Sequence, residues 1–359
     1  MSSSNPNSSL SSECQDLGGS DYSTYSKKPR NFRFPLTSWV VRNNIKLVVF
    51  DKDGTLIEFQ NYWCKWAKSV VSSLVELYES LPLDKKKPVL RSRGFSEDYL
   101  YEFLGCNKLT GKVENQKGAL CLGDMVVIKQ AVLSFFRKYV NLSESDLQEY
   151  FDSAFKKAID AIEGDITALG SNPGDVKELF QELKEVSCDI AIFTSDVSYA
   201  TYKALSVLGV NEFFVNNPNL ILCSDSEFDR RFEKPSGDAL RYLANQVGLI
   251  DNASMDPDNS WKSQILMVGD SKTDILSAKQ AGVGSLFVRS GLFDENALRA
   301  NGLSSDVSAA SIFEDISVFS EDIQQQHINS SFMFMNENDL NISLNLNEDD
   351  MSDSSEAGL

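Results

Sequence analysis

Four short apolar runs, at residues 45–50, 190–193, 265–268 and 285–288, constrain this chain more than any other feature. Segments with helical periodicity separate them. That alternation predicts a parallel sheet wrapped by helices, an α/β core of Rossmann-like type. The first three runs each end directly in a polar cluster. Those clusters should therefore gather at the carboxyl ends of parallel strands, where open α/β sheets bind ligands. The gap between the first and second runs is far too long for one crossover helix, which predicts an inserted domain.

The insert reads as helical. Trp63, Trp66, Val70, Leu74, Leu77, Tyr78 and Leu81 recur at spacings of three and four, and Leu147, Tyr150, Phe151, Ala154 and Phe155 form a second such stripe behind the Ser143–Asp146 capping signal. A helical cap is expected over residues 60–168, and a core over 45–59 and 169–319. Asn172, Pro173 and Gly174 mark the return to the core, followed by a surface helix through Val176, Leu179, Phe180 and Leu183. Residues 1–44 form a Ser-rich arm expected to be disordered, and 320–359 an acidic tail expected to be disordered.

The net charge of −18 is uneven, because no Lys or Arg follows Arg299. With no basic cluster to meet phosphates, a nucleic-acid partner is excluded. No run has the roughly 18 to 20 apolar residues of a membrane helix, and the N-terminus lacks a secretory pattern. Six scattered cysteines without metal spacing are expected to be reduced thiols. A cytoplasmic location follows as the expectation. The Ser-rich start keeps mitochondrion or plastid as the alternative, although Glu13, Asp16 and Asp21 precede its first basic residue.

The chemistry sits in the clusters. The first run leads into Asp51-Lys52-Asp53-Gly54-Thr55, and residues i and i+2 of an extended segment face the same way. On one side of a site, one carboxylate can attack phosphorus while the other protonates the leaving oxygen; an ordinary Asp-Gly turn is the alternative reading of the same residues. A calcium loop fails, because Leu56 and Ile57 stand where oxygen ligands would be needed. Thr194, Ser195 and Asp196 follow the second run and offer a hydroxyl and N–H groups to a phosphate, although such a triplet is also a common helix N-cap. Lys234 provides a point charge. Asp270 and Asp274, in Gly269-Asp270-Ser271-Lys272-Thr273-Asp274, offer hard oxygens suited to Mg²⁺.

In order and placement these four clusters resemble the haloacid dehalogenase superfamily of phosphohydrolases, over about residues 45–319. Asp53, together with Trp63, Trp66, Leu104, Gly105 and Gly111 in the insert, looks like the phosphoglycolate-phosphatase-like subgroup with a helical cap. The resemblance implies that Asp51 is the nucleophile and Asp53 the general acid, which then activates water. It further implies that Thr194, Ser195 and Lys234 hold the phosphoryl group. Mg²⁺ would be bound by Asp51, the Asp53 carbonyl and Asp270. Asp274 would serve at one remove or orient Lys234. The expected activity is a Mg²⁺-dependent phosphatase acting on a small phosphorylated metabolite through an aspartyl-phosphate, with 2-phosphoglycolate suggested by the subgroup alone. The residues name no protein partner. A phosphosugar mutase on the same fold and a catalytically silent scaffold remain as rivals.

Glu58, Trp63, Arg91 and Arg93 are candidate contacts for the substrate's organic part. The stretches 225–233 and 251–263 are expected to be surface insertions. A P-loop at 105–112 is rejected, because five residues separate Gly105 from Gly111 and Val113 follows Lys112 where Ser or Thr is required.

Overall fold

A computed structural model describes residues 31–88, 94–115, 118–122, 125–162, 166–167, 169–170, 172, 174–225, 232–250 and 259–318. In chain order, helix α1 (Pro35–Arg42) leads into strand β1 (Leu47–Phe50), after which come α2 (Phe59–Ser80), α3 (Glu97–Leu104), the short strands β2 (Cys106–Asn107) and β3 (Lys112–Val113), α4 (Met125–Arg137) and α5 (Glu144–Ile162). The chain then runs through α6 (Asp175–Glu185), β4 (Asp189–Phe193), α7 (Ser198–Val207), β5 (Ile221–Leu222), α8 (Gly237–Gln246), β6 (Ile265–Gly269), α9 (Lys272–Ala281), β7 (Gly284–Val288), α10 (Glu295–Ala300), β8 (Val307–Ala309) and β9 (Ser317–Val318).

Seven strands form one sheet in the order β5-β4-β1-β6-β7-β8-β9, parallel throughout except for the antiparallel β8–β9 edge. β1 lies at its centre, with Leu47 paired to Asp189 on one side and Ile265 on the other. Its four residues are all buried, as a strand covered on both faces must be. Phe50 stacks on Phe180 of α6 at 5.3 Å between ring centroids, which seats that helix on the sheet.

The insertion between β1 and β4 is built on α2 and α5. α2 buries Trp66, Ala67, Val70, Val71 and Leu74 along one face, and α5 answers with Leu147, Phe151, Phe155 and Ala158. Trp66 meets Phe155 edge to face at 4.9 Å. Each large apolar side chain buried in this way stabilises the cap by about 1.5–3 kcal/mol. Two backbone hydrogen bonds join the entering and leaving segments: Glu58 N–H to the Thr167 carbonyl and Leu169 N–H to the Leu56 carbonyl, both 2.9 Å. The stretch that imitates a P-loop is the antiparallel β2–β3 hairpin. No helix among the described residues is long and apolar enough to cross a membrane.

Two expectations need correction. The arm assigned to 1–44 includes α1, which buries Leu36, Thr37 and Val40. Arg33, which falls within that arm, pairs with Asp175 (2.5 Å) and Glu178 of α6, and the Phe34 ring lies 5.7 Å from Phe313. Within the stretch expected to be a surface insertion at 251–263, Trp261 is buried, and Phe232 of the other such stretch packs against Tyr242 at 5.0 Å. An indole is too large and apolar to leave in a solvated loop. Residues 226–231, 251–258 and 319–359 lie outside the described residues, as do 1–30.

Candidate active site

Asp51 stands at the end of β1 and remains in register with the sheet, its N–H donating to the Val268 carbonyl at 2.8 Å. The chain then turns back on itself: Leu56 and Ile57 N–H groups both donate to the Lys52 carbonyl, at 2.8 and 3.1 Å. Gly54 sits at φ +82°, and a Cβ there would lie 2.6 Å from Asp270 Oδ2 and 2.9 Å from the Gly291 Cα. Glycine is therefore required by both backbone and space. The Ser290 hydroxyl donates to the Gly54 carbonyl at 2.6 Å, fastening this turn to the loop after β7.

The second cluster emerges one strand away. The Thr194 N–H donates to the Leu222 carbonyl at 3.0 Å, so its backbone donor is spent on the sheet and the hydroxyl is what Thr194 offers the cavity. That hydroxyl accepts from the Asp196 N–H at 3.1 Å. The Ser195 carbonyl accepts from the Met125 N–H at 3.2 Å, which links this loop to the first turn of α4 in the cap.

Lys234 is almost fully buried, with its ammonium 2.5 Å from Asp51 Oδ1 and 2.6 Å from Asp274 Oδ1. The other oxygen of Asp274 accepts from the Ser271 N–H (3.0 Å) and hydroxyl (2.7 Å), a reciprocal cap on the start of α9. Asp274 therefore has both oxygens engaged. Asp270 receives the Leu292 N–H at 3.3 Å. Carboxylate oxygens of Asp51, Asp270 and Asp274 lie within 4.8 Å of one another.

Such crowding has an electrostatic cost. Burial pushes the Asp51 carboxyl up to about 7 against the pull of Lys234, with Asp274 and Asp53 adding repulsion. Asp270 is pushed well above the usual carboxylate range by burial and by Asp51 and Asp274. Burial alone would lower Lys234, but Asp274 and Asp51 outweigh it and raise the ammonium above its ordinary value. A cluster of hard oxygens carrying this much mutual repulsion fits a small divalent cation.

One cavity collects these groups. Asp51, Asp53, Thr194, Ser195, Lys234 and Asp270 line it, together with Trp63 of the cap. Of the other expected contacts, Glu58 serves as the N-cap residue of α2, and Arg91 and Arg93 lie outside the described residues.

The sequence profile of haloacid dehalogenase-like hydrolases matches residues 45–282. The chain belongs to that family. A phosphoglycolate phosphatase from Vibrio parahaemolyticus is 26% identical over 250 residues, covering 68% of this chain and 84% of the relative. The pyrophosphatase PpaX of Halalkalibacterium halodurans is 29% identical over 124 residues, 34% of this chain and 49% of that one. Among solved structures, CbbY from Rhodobacter sphaeroides in complex with phosphate is 17% identical, with a TM-score of 0.46, covering 75% of this chain and 96% of that chain. This haloacid dehalogenase-like hydrolase is a phosphatase.

The site also contains residues that sequence reasoning passed over. Lys52, between the two acids of the first motif, is completely buried with its ammonium 2.8 Å from Asp53 Oδ1 and 2.9 Å from Asp196 Oδ2. It also lies 4.7 Å from the centre of the Tyr62 ring in α2. The i, i+2 argument that brings Asp51 and Asp53 to one side sends Lys52 to the other, so a signal was present. Asp196 read as a helix cap, yet the N-cap of α7 is Val197, and the side chain of Asp196 is turned inward to Lys52. The loop carrying Ser290, Gly291 and Leu292 has no sequence signal that we recognise.

Proposed function

We propose that this enzyme is a Mg²⁺-dependent phosphomonoesterase that transfers the phosphoryl group of a small phosphorylated metabolite to Asp51 and then to water. The observation that carries the reading is the pairing of Asp51 and Asp53 at the end of β1, with the Lys234 ammonium 2.5 Å from Asp51 at the same cavity.

In the first half-reaction an Asp51 oxygen attacks phosphorus, the ester P–O bond breaks, and Asp53 gives its proton to the departing alkoxide. In the second, Asp53 as carboxylate takes a proton from water, whose oxygen attacks the same phosphorus. The Asp51–phosphorus bond breaks and inorganic phosphate leaves. Lys52 holds Asp53 in place for both proton transfers. Lys234 and the Thr194 hydroxyl orient the phosphoryl group, with Ser195 beside them, and the fixed charge of Lys234 offsets the charge that develops on its oxygens. Asp51, Asp270 and the Asp53 carbonyl would hold Mg²⁺, which supplies further charge neutralisation at the phosphoryl oxygens. Asp274 acts through Lys234, to which it is bonded. Its carboxylate lies within 4.8 Å of those of Asp51 and Asp270, so it would be a further oxygen donor to the metal. The cap excludes bulk water while the ester bond is broken. We place this activity in the cytoplasm; a tagged full chain found in mitochondria or plastids would overturn that placement.

The test is phosphate release from a panel of small phosphomonoesters, with Mg²⁺ or with chelator, by the wild type and by Asp51→Asn. Mg²⁺-dependent release that disappears in Asp51→Asn is the expected result. Undiminished release by the variant, or none by the folded wild type, would overturn the reading.

A further inference from the structure

The two sides of the cavity differ sharply in chemistry. The core side presents the Asp51, Asp53 and Asp270 carboxylates, Thr194 and Lys234. The cap side presents Phe59 and Trp63 from α2, Leu120 and Cys121, and Met125 and Ile128 from α4. Leu292 and Phe293 continue that apolar wall on the core's own loop.

This wall is firmly seated. Trp63, Met125 and Ile128 are each buried, and the Trp63 ring makes edge contacts with Tyr62 and Trp66, both at 5.4 Å between centroids. Among the described lining residues Lys234 is the one cation, and its ammonium already serves Asp51 and Asp274 at 2.5 and 2.6 Å. The space between the two sides is small, about 80 Å³.

We propose that the preferred substrates are small phosphomonoesters whose organic part is neutral and apolar, alkyl or aryl. This rests on the phosphomonoesterase reading above. Once the phosphoryl group sits by Asp51 and Lys234, the organic part faces the cap wall. A neutral apolar group gains by leaving water for that wall. A carboxylate there would be stripped of water with no cation among the described wall residues and with acids across the cavity, the least favourable placement for an anion. 2-Phosphoglycolate, the ester after which the Vibrio relative is named, is accordingly a poor substrate for this chain.

The experiment compares kcat/KM of the full chain, with Mg²⁺, for isobutyl phosphate and 2-phenylethyl phosphate against 2-phosphoglycolate. All three are alkyl esters, so the comparison reads the wall more than the leaving group's intrinsic reactivity. The neutral esters should win by at least about tenfold, one unpaired buried charge being worth that or more. Ile128→Lys, which places a cation on the wall, should shift the ratio toward 2-phosphoglycolate by a similar factor. Met125→Lys, at the first turn of α4, is a second placement of the same charge. Circular dichroism checks folding, and the wild-type ratio stands whether or not either variant folds. A 2-phosphoglycolate preference in the wild type, or a ratio that folded Lys variants leave unmoved, overturns the apolar-substrate inference while leaving the phosphatase chemistry intact. Release from none of the esters overturns the phosphomonoesterase reading itself.

Discussion

Replacing Gly54 by alanine tests how tightly the first motif is pressed against Asp270. Two costs add. At φ +82° an L-residue occupies the left-handed region, at about 1–2 kcal/mol. The new Cβ would also stand 2.6 Å from Asp270 Oδ2, 2.7 Å from its Cγ and 2.9 Å from the Gly291 backbone. Asp270 is bonded to the Leu292 N–H and Gly291 is main chain, so neither moves without the loop, and overpacking of this kind costs about 1–3 kcal/mol. Gly54→Ala should therefore destabilise by about 2–5 kcal/mol. Gly248→Ala provides the control, since Gly248 has φ +76° but no atom within 4 Å of a built Cβ. It carries the backbone cost alone, about 1–2 kcal/mol. Urea unfolding of both variants isolates the collision as their difference. Because the displaced group is Asp270, which the proposed function assigns to Mg²⁺, Gly54→Ala should also need more Mg²⁺ for half-maximal phosphate release. A Gly54→Ala protein as stable as Gly248→Ala, with an unaltered Mg²⁺ requirement, would refute the reasoning.

Three further outcomes are expected. Asp274→Asn leaves the buried Lys234 with Asp51 alone, and breaking a buried pair of this kind costs about 3–5 kcal/mol; the assay is thermal denaturation, and an unchanged Tm would sink the account of Lys234. Lys52→Met strands the carboxylates of Asp53 and Asp196 together, with a loss of the same order, and adding Asp196→Asn should restore part of it; a double variant no more stable than Lys52→Met would show that the two acids do not share this lysine. Burial pushes the Cys188 thiol up to about 12 and the Cys223 thiol up to about 11. A raised thiol pKa means less thiolate at pH 8, so iodoacetamide should label both at least about a hundredfold more slowly in the folded protein than in urea, the rate climbing with pH; equal rates in the two states would contradict their burial.

Much of this arrangement was legible because strong signals coincided. β1, β4, β6 and β7 announced themselves as apolar runs, and parallel strands buried on both faces have no other way to be written. β5, β8 and β9 span two or three residues each, too few for any periodicity to show. α1 was missed because its neighbours are polar and Ser-rich; its helicity is decided by Arg33 and Phe34 anchoring to α6, a contact made far along the chain. The acids of the first motif could be placed by alternation alone, whereas the partnership of Lys52 with Asp196 spans two strands and becomes visible only when those strands are side by side. The apolar cap wall is of the same kind, since α2 and α4 are separate stripes in sequence and become one surface only through the hairpin and turn between them.

The central position of β1 has a consequence for synthesis. Its two neighbours, β4 and β6, both lie in the C-terminal half of the chain, so the strand that carries Asp51 leaves the ribosome with nothing to pair against. The residues made next are those of α2 to α5, whose contacts are largely among themselves. A cap that folds first shortens the loop β1 must close, because its two ends are drawn together at Glu58 and Thr167. Translation thus builds the lid before the floor of the site. The strand that leads into Asp51, four apolar residues long, is the segment for which a nascent-chain chaperone has the longest opportunity to bind.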